Sequence, residues 1–517
     1  MKKQGSHVNA LNDLNHQNEE GKHNYMNSGG DNHKYWQYNT LLLYNVIMMY
    51  TCDWPSLFVE WVPSVCRCDD DVYNQDLILG TYTTEKNNYI LILEVSLPSE
   101  EFSHSNLYYE KINNYRHNTC NDTSKNFKIK KKIYHECEIN KIACSPQNKD
   151  VIACFSSDGN INILNLSNYN YEEDEANNNA VVSFDYTLKG HLYQGWGIQW
   201  GADNNLISSC ADDSYLCIWD INATASCATS TANVAPPLVS GSLCASGGGS
   251  TLGGGLPGAA AGVTTAGVST PSAAIAATAA TSATAAIAAG AGICTTGGGG
   301  GDFTITSSNS ENCKGGVIHP LIKFFNDNVP LQDCCWKDNN VLTVSDNGHI
   351  HIYDIRNKSA VSSIRATNCS LNSIDVNPHN KNIFATGGTN KEIDLWDIRF
   401  TNKSLHRIIS HKETIIKLQW DKYQPGILSS SSSNKYIYFY DTNKIGIEQT
   451  YEDSQDGPPE LIFIHGSHAS NILDYSLNSS YSMMISSISE DNTLHIWQPS
   501  RQAYEDASDT YDDTDVE

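Results

Sequence analysis

The chain has 517 residues, with 33 Lys or Arg against 58 Asp or Glu, a formal net charge of −25. A field of that sign repels nucleic-acid backbones and anionic membrane surfaces and favours cationic partners, so direct nucleic-acid binding is not expected. No run reaches the ~18 apolar residues of a membrane span, so no membrane association is expected either.

One strand ending recurs along the chain: CIWDI at 217–221, HIYDIR at 351–356, LWDIR at 395–399, YFYDT at 438–442 and HIWQP at 495–499. Tyr353, Trp396 and Tyr440 stand 43 and 44 residues apart, the period of a four-stranded propeller blade. A lone blade cannot bury both faces of its sheet, so the copies must pack around an axis. Seven blades of roughly 40–45 residues need about 300 residues, and insertions take up the rest.

In chain order, residues 1–32 are polar and rich in Asn and Gly, which predicts a disordered extension. The opening residues also lack the apolar core of a secretory signal. HKYWQYNTLLLYNVIMMY (33–50) carries Tyr35, Trp36, Leu42, Leu43, Val46, Ile47 and Tyr50 at spacings that predict a helix with a broad apolar face, packed on the propeller side. DWPSLFVEWVP follows, and its 57–62 stretch reads as a strand that completes the last blade and closes the ring. Blades one to three are expected within 51–222. A hydrophilic insert after blade one ends in the basic run Lys128–Lys132, which reads as a solvated loop. Residues 223–316 collapse to Ala, Gly, Ser and Thr, a flexible insertion placed between blades three and four. Blades four to seven occupy 317–500, and 501–517 form an acidic, solvated tail. The fold class is therefore all-β: a seven-bladed propeller with an N-terminal helix on its side and a long low-complexity insertion.

Sixteen cysteines without a secretory signal predict free thiols in a reducing compartment. Cys66-Arg-Cys68 and Cys334-Cys335 lack zinc-knuckle spacing, so no metal and no cofactor is expected. Catalysis has one candidate pattern, His–Asp pairs. His135 precedes Asp158 by 23 residues, His191 precedes Asp213 by 22, and His468 precedes Asp491 by 23; a strand end, at Leu164, Trp219 or Trp497, lies six residues further on. A dyad repeated once per blade belongs to the scaffold. At these residues the chain resembles WD-repeat proteins, in which such a His and Asp bond each other and tie the turns of a blade together. Asn434 is the expected partner of His411, and Asn347 and Asn390 stand at the Asp position of blades four and five. No P-loop, nucleophile elbow or HExxH occurs, and HECEIN at 135–140 is only superficially similar to the last. No enzyme is expected.

YWQYNTLLLYNVIM, DWPSLFVEWVP, LILGTYT, KGHLYQGWGIQW, FATGGTNKEIDLWDIR and KIGIEQTYEDSQDGPPELIFIHGSH together resemble the histone-binding WD-repeat family, which includes the retinoblastoma-binding histone chaperones and the small subunit of chromatin assembly factor. The resemblance spans about 33–222 and 317–504. Its most discriminating stretch is the acidic Gly-Pro-Pro-Glu insertion, which no generic blade carries.

The resemblance implies two binding sites. The first is a side groove for the first helix of the smaller tetramer-forming histone. Leu42, Leu43, Val46 and Ile47 would form its apolar wall, and Glu452, Asp453, Asp456 and Glu460, beside Pro458 and Pro459, its acidic rim. An amphipathic basic helix needs such an apolar groove edged with acid. The second is the top of the ring, where the family binds basic histone tails and similar Arg/Lys-rich peptides. The matching positions are Asp53, Glu138, Asn140, Trp196, Asp346, Asn372 and Glu490. Gln194, Gln332 and Thr414 stand where the family has glutamate, and Trp196, Ile416 and Tyr82 where it has aromatics or histidine. Fewer carboxylates predict weaker Arg/Lys capture.

The implied function is a non-catalytic histone chaperone and scaffold. Its partners would be core histones and subunits of assembly, acetyltransferase, deacetylase or methyltransferase complexes. Its place would be the nucleus with a cytoplasmic pool, and KIKKK (128–132) is a short candidate import signal. Two alternatives stay open. One is a WD-repeat ribosome-assembly chaperone of a basic ribosomal protein. The other is a ubiquitin-ligase substrate receptor, because the YDIR and WDIR endings at 353–356 and 396–399 resemble the WDxR box of such receptors.

Overall fold

Short runs of β-branched and aromatic residues, each ended by a polar turn, pair into seven sheets that form the blades of a β-propeller. The computed structural model describes residue 40 and residues 43–69, 72–83, 87–98, 126–169, 184–201, 205–222, 316–455 and 457–500. From the inside out, blade one holds Val59–Asp69, Val72–Gly80, Asn88–Pro98 and Phe127–His135, and blade two Ile139–Cys144, Val151–Ser156, Ile161–Asn165 and Tyr186–Leu188. Blade three holds Gly195–Trp200, Leu206–Ala211, Tyr215–Asp220 and Ile322–Phe325. Blade four holds Leu331–Lys337, Asn340–Ser345, His349–Asp354 and Ser359–Arg365, and blade five Leu371–Val376, Ile383–Gly388, Ile393–Asp397 and His406–Ile408. Blade six holds Ile415–Trp420, Ile427–Ser432, Ile437–Asp441 and Leu461–His465. Blade seven holds Ile472–Leu477, Ile485–Ser489, Thr493–Pro499 and, outermost, Tyr44–Thr51. The innermost strands of successive blades lie against one another all the way round, blade one against blade seven as well as blade two, so the ring is closed.

Closure comes from Tyr44–Thr51, not from 57–62. It runs antiparallel to Thr493–Pro499, with Ile47 opposite Trp497 and Met49 opposite His495, while Val59–Asp69 is the inner strand of blade one. The predicted helix over 33–50 is therefore corrected. Thr40 and Leu43 have helical backbone, Tyr44–Thr51 is a strand, and residues 33–39, 41 and 42 lie outside the described residues. The physical reason is burial on both faces. Val46 and Met48 join the cluster facing blade one, whereas Tyr44 and Ile47 join the cluster facing blade six. A strand buried on both sides shows a near-continuous apolar run, which periodicity cannot separate from a helix.

Two further expectations change. The low-complexity insertion falls within blade three, because Ile322–Phe325 returns after it as that blade's outer strand. Gly316–Ile318 also adds to blade two as a fifth strand, parallel to Tyr186–Leu188. The run Lys128–Lys132 lies in the outer strand of blade one rather than in a loop. Lys130 pairs with Asp76 at 2.8 Å and Glu94 at 3.1 Å, Lys131 donates to the Leu166 carbonyl, and Lys132 lies over the Tyr89 ring. Lysines on an edge strand discourage further strands from adding, and with three of the four engaged, this run does not have the form of a free extended signal.

Inside the ring, side chains of one inner strand accept from backbone N–H groups of the next. Gln199 Oε1 accepts from Trp336 N at 2.6 Å, Asp333 Oδ2 from Ile374 N at 3.1 Å and Asp375 Oδ2 from Trp420 N at 2.8 Å. Gln419 Oε1 accepts from Leu477 N at 3.2 Å and Asp474 Oδ2 from Val59 N at 3.2 Å, which carries the pattern across the closure. Gly195 and Gly197 both mark close approaches: a Cβ would stand 2.2 Å from the Phe155 ring at the first, and 2.3 Å from Cys210 Sγ and 2.9 Å from the Asp333 Cα at the second. That crowding accounts for the glycines of GWGIQW.

Candidate functional site

The histidines stabilise blades, each differently. In blade three the expected pair forms: His191 Nδ1 lies 3.1 Å from Asp213, and Nε2 meets Ser209 Oγ at 2.7 Å, which also accepts from Trp219 Nε1 at 2.8 Å. Burial works to raise the Asp213 carboxyl, but its bond to His191 and two backbone N–H donors hold it below the usual carboxylate range. In blade seven a hydroxyl intervenes: His468 Nδ1 meets Ser489 Oγ at 2.9 Å, and that hydroxyl donates to Asp491 at 2.5 Å. At blade two, His135, the last residue of blade one's outer strand, turns instead to the Cys137 carbonyl and Asn162, while Asp158 accepts from Asn160 in its own turn. In blade six His411 meets Ser430 Oγ, but its Nδ1 has no partner, because Asn434 accepts from Tyr436 N. A group whose geometry differs between blades carries no shared chemistry.

His465, His468 and His495 form a buried imidazole cluster among the described residues. One nitrogen from each ring lies within 4.8 Å of the others, but the rings of His468 and His495 stack at 3.8 Å, close to parallel, and serine hydroxyls already bond nitrogens of all three. The Ser467 hydroxyl sits between His465 Nε2 and His495 Nδ1, at 2.7 and 2.6 Å. Burial pushes His465 and His468 well below the ordinary imidazole value, leaving them neutral members of a hydrogen-bonded core.

On the side of the ring, Tyr44 joins the N-terminal stretch to the strand that follows the Pro-Pro loop. Its hydroxyl lies 2.9 Å from His465 Nδ1, and its ring meets Phe463 edge-on at 5.6 Å. Leu43 packs on the same cluster, and its carbonyl accepts from Ser500 N. Of the residues expected to line the groove, Leu43 is part-exposed, while Val46 and Ile47 (2% and 4% exposed) belong to the core. Glu452 and Asp453 are exposed, and Pro458 and Pro459 are half-buried. Asp453 accepts from the Thr450 hydroxyl at 2.7 Å, which orders the short 3-10 turn Asp453–Gln455. Glu460 points inward to His406 Nε2 at 2.9 Å and is only 2% exposed, so it stands behind the rim. Leu42 and Asp456 lie outside the described residues. Sequence reasoning missed Tyr451 (81% exposed) and Ile447 (55%), apolar side chains within an otherwise polar connection.

The top-face positions share one end of the ring. Asn140, Trp196 and Asn372 stand second in the inner strands of their blades, Glu138 just before one, and Asp346 and Glu490 just after second strands. Asp53 joins them because neighbouring Cys52 donates to the Asn492 carbonyl, in the same turn as Glu490. Asn140 is buried and donates to the Gly195 carbonyl, and Asn372 donates to the Ile415 carbonyl at 2.7 Å, so both brace neighbouring blades. Asp346 accepts from Gln332 at 3.0 Å and Ser370 at 2.9 Å, and Glu490 from Ser470 and Asn471. Burial raises Glu138 above the usual carboxylate range. Asp212 was missed, although it follows its second strand as Asp346 and Glu490 follow theirs. Burial and, more weakly, the charge of Asp346 raise it, against a hydrogen bond from Gln194.

Residues 31–99 match the family of histone-binding protein RBBP4, which is also that of a CAF1-complex subunit. Residues 183–220, which contain the complete Trp219–Ser209–His191–Asp213 chain, match the WD domain, G-beta repeat. Over these two stretches the chain is similar to the histone-binding WD-repeat family. The match at 31–99 covers the closing strand and most of blade one, the same segment that packs beside the Pro-Pro loop's strand. Because the buried His–Asp and His–Ser contacts differ from blade to blade, they are read as architecture.

Proposed function

We propose that this chain is a member of the histone-binding WD-repeat family, a non-catalytic histone chaperone and a scaffold of chromatin-assembly or chromatin-modifying complexes. It takes the first helix of the smaller tetramer-forming histone along the seam between blades six and seven. The observation that carries this reading is the Tyr44–His465 and Tyr44–Phe463 packing, which sets the Leu43 end of the N-terminal stretch beside the strand leaving the Pro-Pro loop. Leu43 with exposed Tyr451 supplies apolar surface, and Glu452 and Asp453 supply charge. The apolar part sets most of the affinity, and the exposed acid mainly speeds encounter. The top face, with Asp53, Glu138, Asp212, Asp346 and Glu490, is a second station for basic tails. Nuclear residence with a cytoplasmic pool follows from the same reading; no described helix is long and apolar enough to cross a membrane.

The test is titration of the full chain with a peptide of that histone helix. Leu43→Asp with Tyr451→Asp is expected to weaken binding at least tenfold while the melting curve stays cooperative. Ile47→Asp is unsuitable, because it would break the core. Unchanged affinity in the double variant would remove the groove from the reading.

A further inference from the structure

The connections between the third and fourth strands of blades four, five and six all lie at the end of the ring opposite the top face. The blade-six connection, 442–460, is the acidic Pro-Pro loop. Its neighbours are of opposite sign: 355–358 and 398–405 hold Arg356, Lys358, Arg399 and Lys403 and no carboxylate. In a chain of net charge −25 this is a local reversal of the field.

The two arginines are pre-positioned. Arg356 donates from Nε at 3.0 Å and Nη2 at 2.8 Å to the Asp354 carboxylate, and Arg399 from Nε at 2.9 Å and Nη2 at 2.6 Å to Asp397. Each aspartate ends the third strand of its blade, so the same fork is built twice, one blade apart. The arginine side chains remain 64% and 67% exposed, with their remaining N–H groups unclaimed by those carboxylates. The other carboxylate at this end of blade four, Asp338, is held between Lys337 and Lys381. Phe400 and Leu405, 48% and 53% exposed, stand in the same connection as Arg399.

We infer that this face of blades four and five docks an acidic segment of a partner protein. Its carboxylates would meet the fixed guanidinium forks, and its apolar side chains would meet Phe400 and Leu405. A fixed planar fork loses less freedom on binding than a free lysine and matches carboxylate geometry. A protein segment suits the face better than a nucleic acid for two reasons. The apolar pair offers nothing to a phosphate backbone, and the acidic loop of the next blade repels a polyanion that extends past the patch. This surface is separate from the basic-helix groove and does not depend on it.

The experiment uses the full chain and a fluorescent peptide of Glu residues interspersed with Phe and Leu, followed by anisotropy at low and high salt. The expected result is saturable, salt-sensitive binding. Arg356→Glu with Arg399→Glu, and separately Lys358→Glu with Lys403→Glu, should weaken it about tenfold. The second pair leaves both Asp–Arg forks intact and so guards against misfolding. Phe400→Ala with Leu405→Ala should cost about threefold, and histone-helix binding should not change in any of the three. Wild-type peptide affinity in both charge-reversal pairs would overturn the inference. So would duplex DNA displacing the peptide at equal charge concentration, since the face would then bind polyanions at large.

Discussion

Lys417 of blade six reaches 2.8 Å to the Asp474 carboxylate of blade seven, and Lys141 of blade two approaches the same group at 3.7 Å. Burial works to raise Asp474, and the two lysines more than offset it, so its folded value lies below the ordinary one. Such a group contributes stability above the usual carboxylate range, and that stability is lost as pH falls through the folded value. Asp474→Asn would take from Lys417 its hydrogen-bonded carboxylate and should lower unfolding free energy by about 3 kcal/mol. Adding Lys417→Met should recover part of the loss. Urea unfolding near neutral pH checks both, and a single variant indistinguishable from wild type would show that the clasp contributes nothing.

Asp375, across the ring in blade five, has the opposite sign. Burial, with the charge of Asp333 adding to it, pushes its carboxyl up to about 7 despite a backbone donor. Its folded value exceeds its unfolded one, so the folded state holds the extra proton between about pH 4 and 7 and stability falls as pH rises across that window. Asp375→Asn keeps an acceptor for Trp420 N and cannot ionise. Its advantage over wild type should grow as pH rises through that window, by about 2–3 kcal/mol between pH 5 and pH 8, a difference readable from melting curves at the two pH values.

Asp213 and Asp158 look alike in sequence and should behave differently. Asp213→Ala removes acceptors for His191, Leu192 N and Tyr215 N, all within 3.1 Å, and should cost about 2–3 kcal/mol. Asp158→Ala loses a turn contact at an exposed site and should cost well under 1 kcal/mol. Because Asp213 is held low, the acid limb of wild-type unfolding should flatten below about pH 4 in the Asp213 variant only. Equal costs at the two sites would contradict the assignment.

Glu452→Lys with Asp453→Lys reverses the exposed part of the loop and leaves buried Glu460 on His406. The expected outcome in stopped-flow mixing with the histone helix is an association rate reduced about tenfold at low salt and much less at high salt, with dissociation changed little.

The repeat was legible because its period and its WD-type endings are local. The candidate groove was legible in part: the Pro-Pro loop announces itself by composition. The error at 33–50 arose where local pattern loses its meaning, since Val46 and Ile47 face opposite neighbours and no window of sequence contains both. The same limit hid the placement of Ile322–Phe325, which completes a sheet whose preceding strand ends at Asp220, on the far side of the low-complexity insertion.

By itself the sequence determined the blade count and the sign of the field, and it supplied candidates for binding. Which strand seals the ring, which carboxylates face water and which His–Asp pairs form were decided only in the tertiary structure. Those choices depend on what each side chain meets across an interface between blades, and that neighbour is supplied by chain far away in sequence.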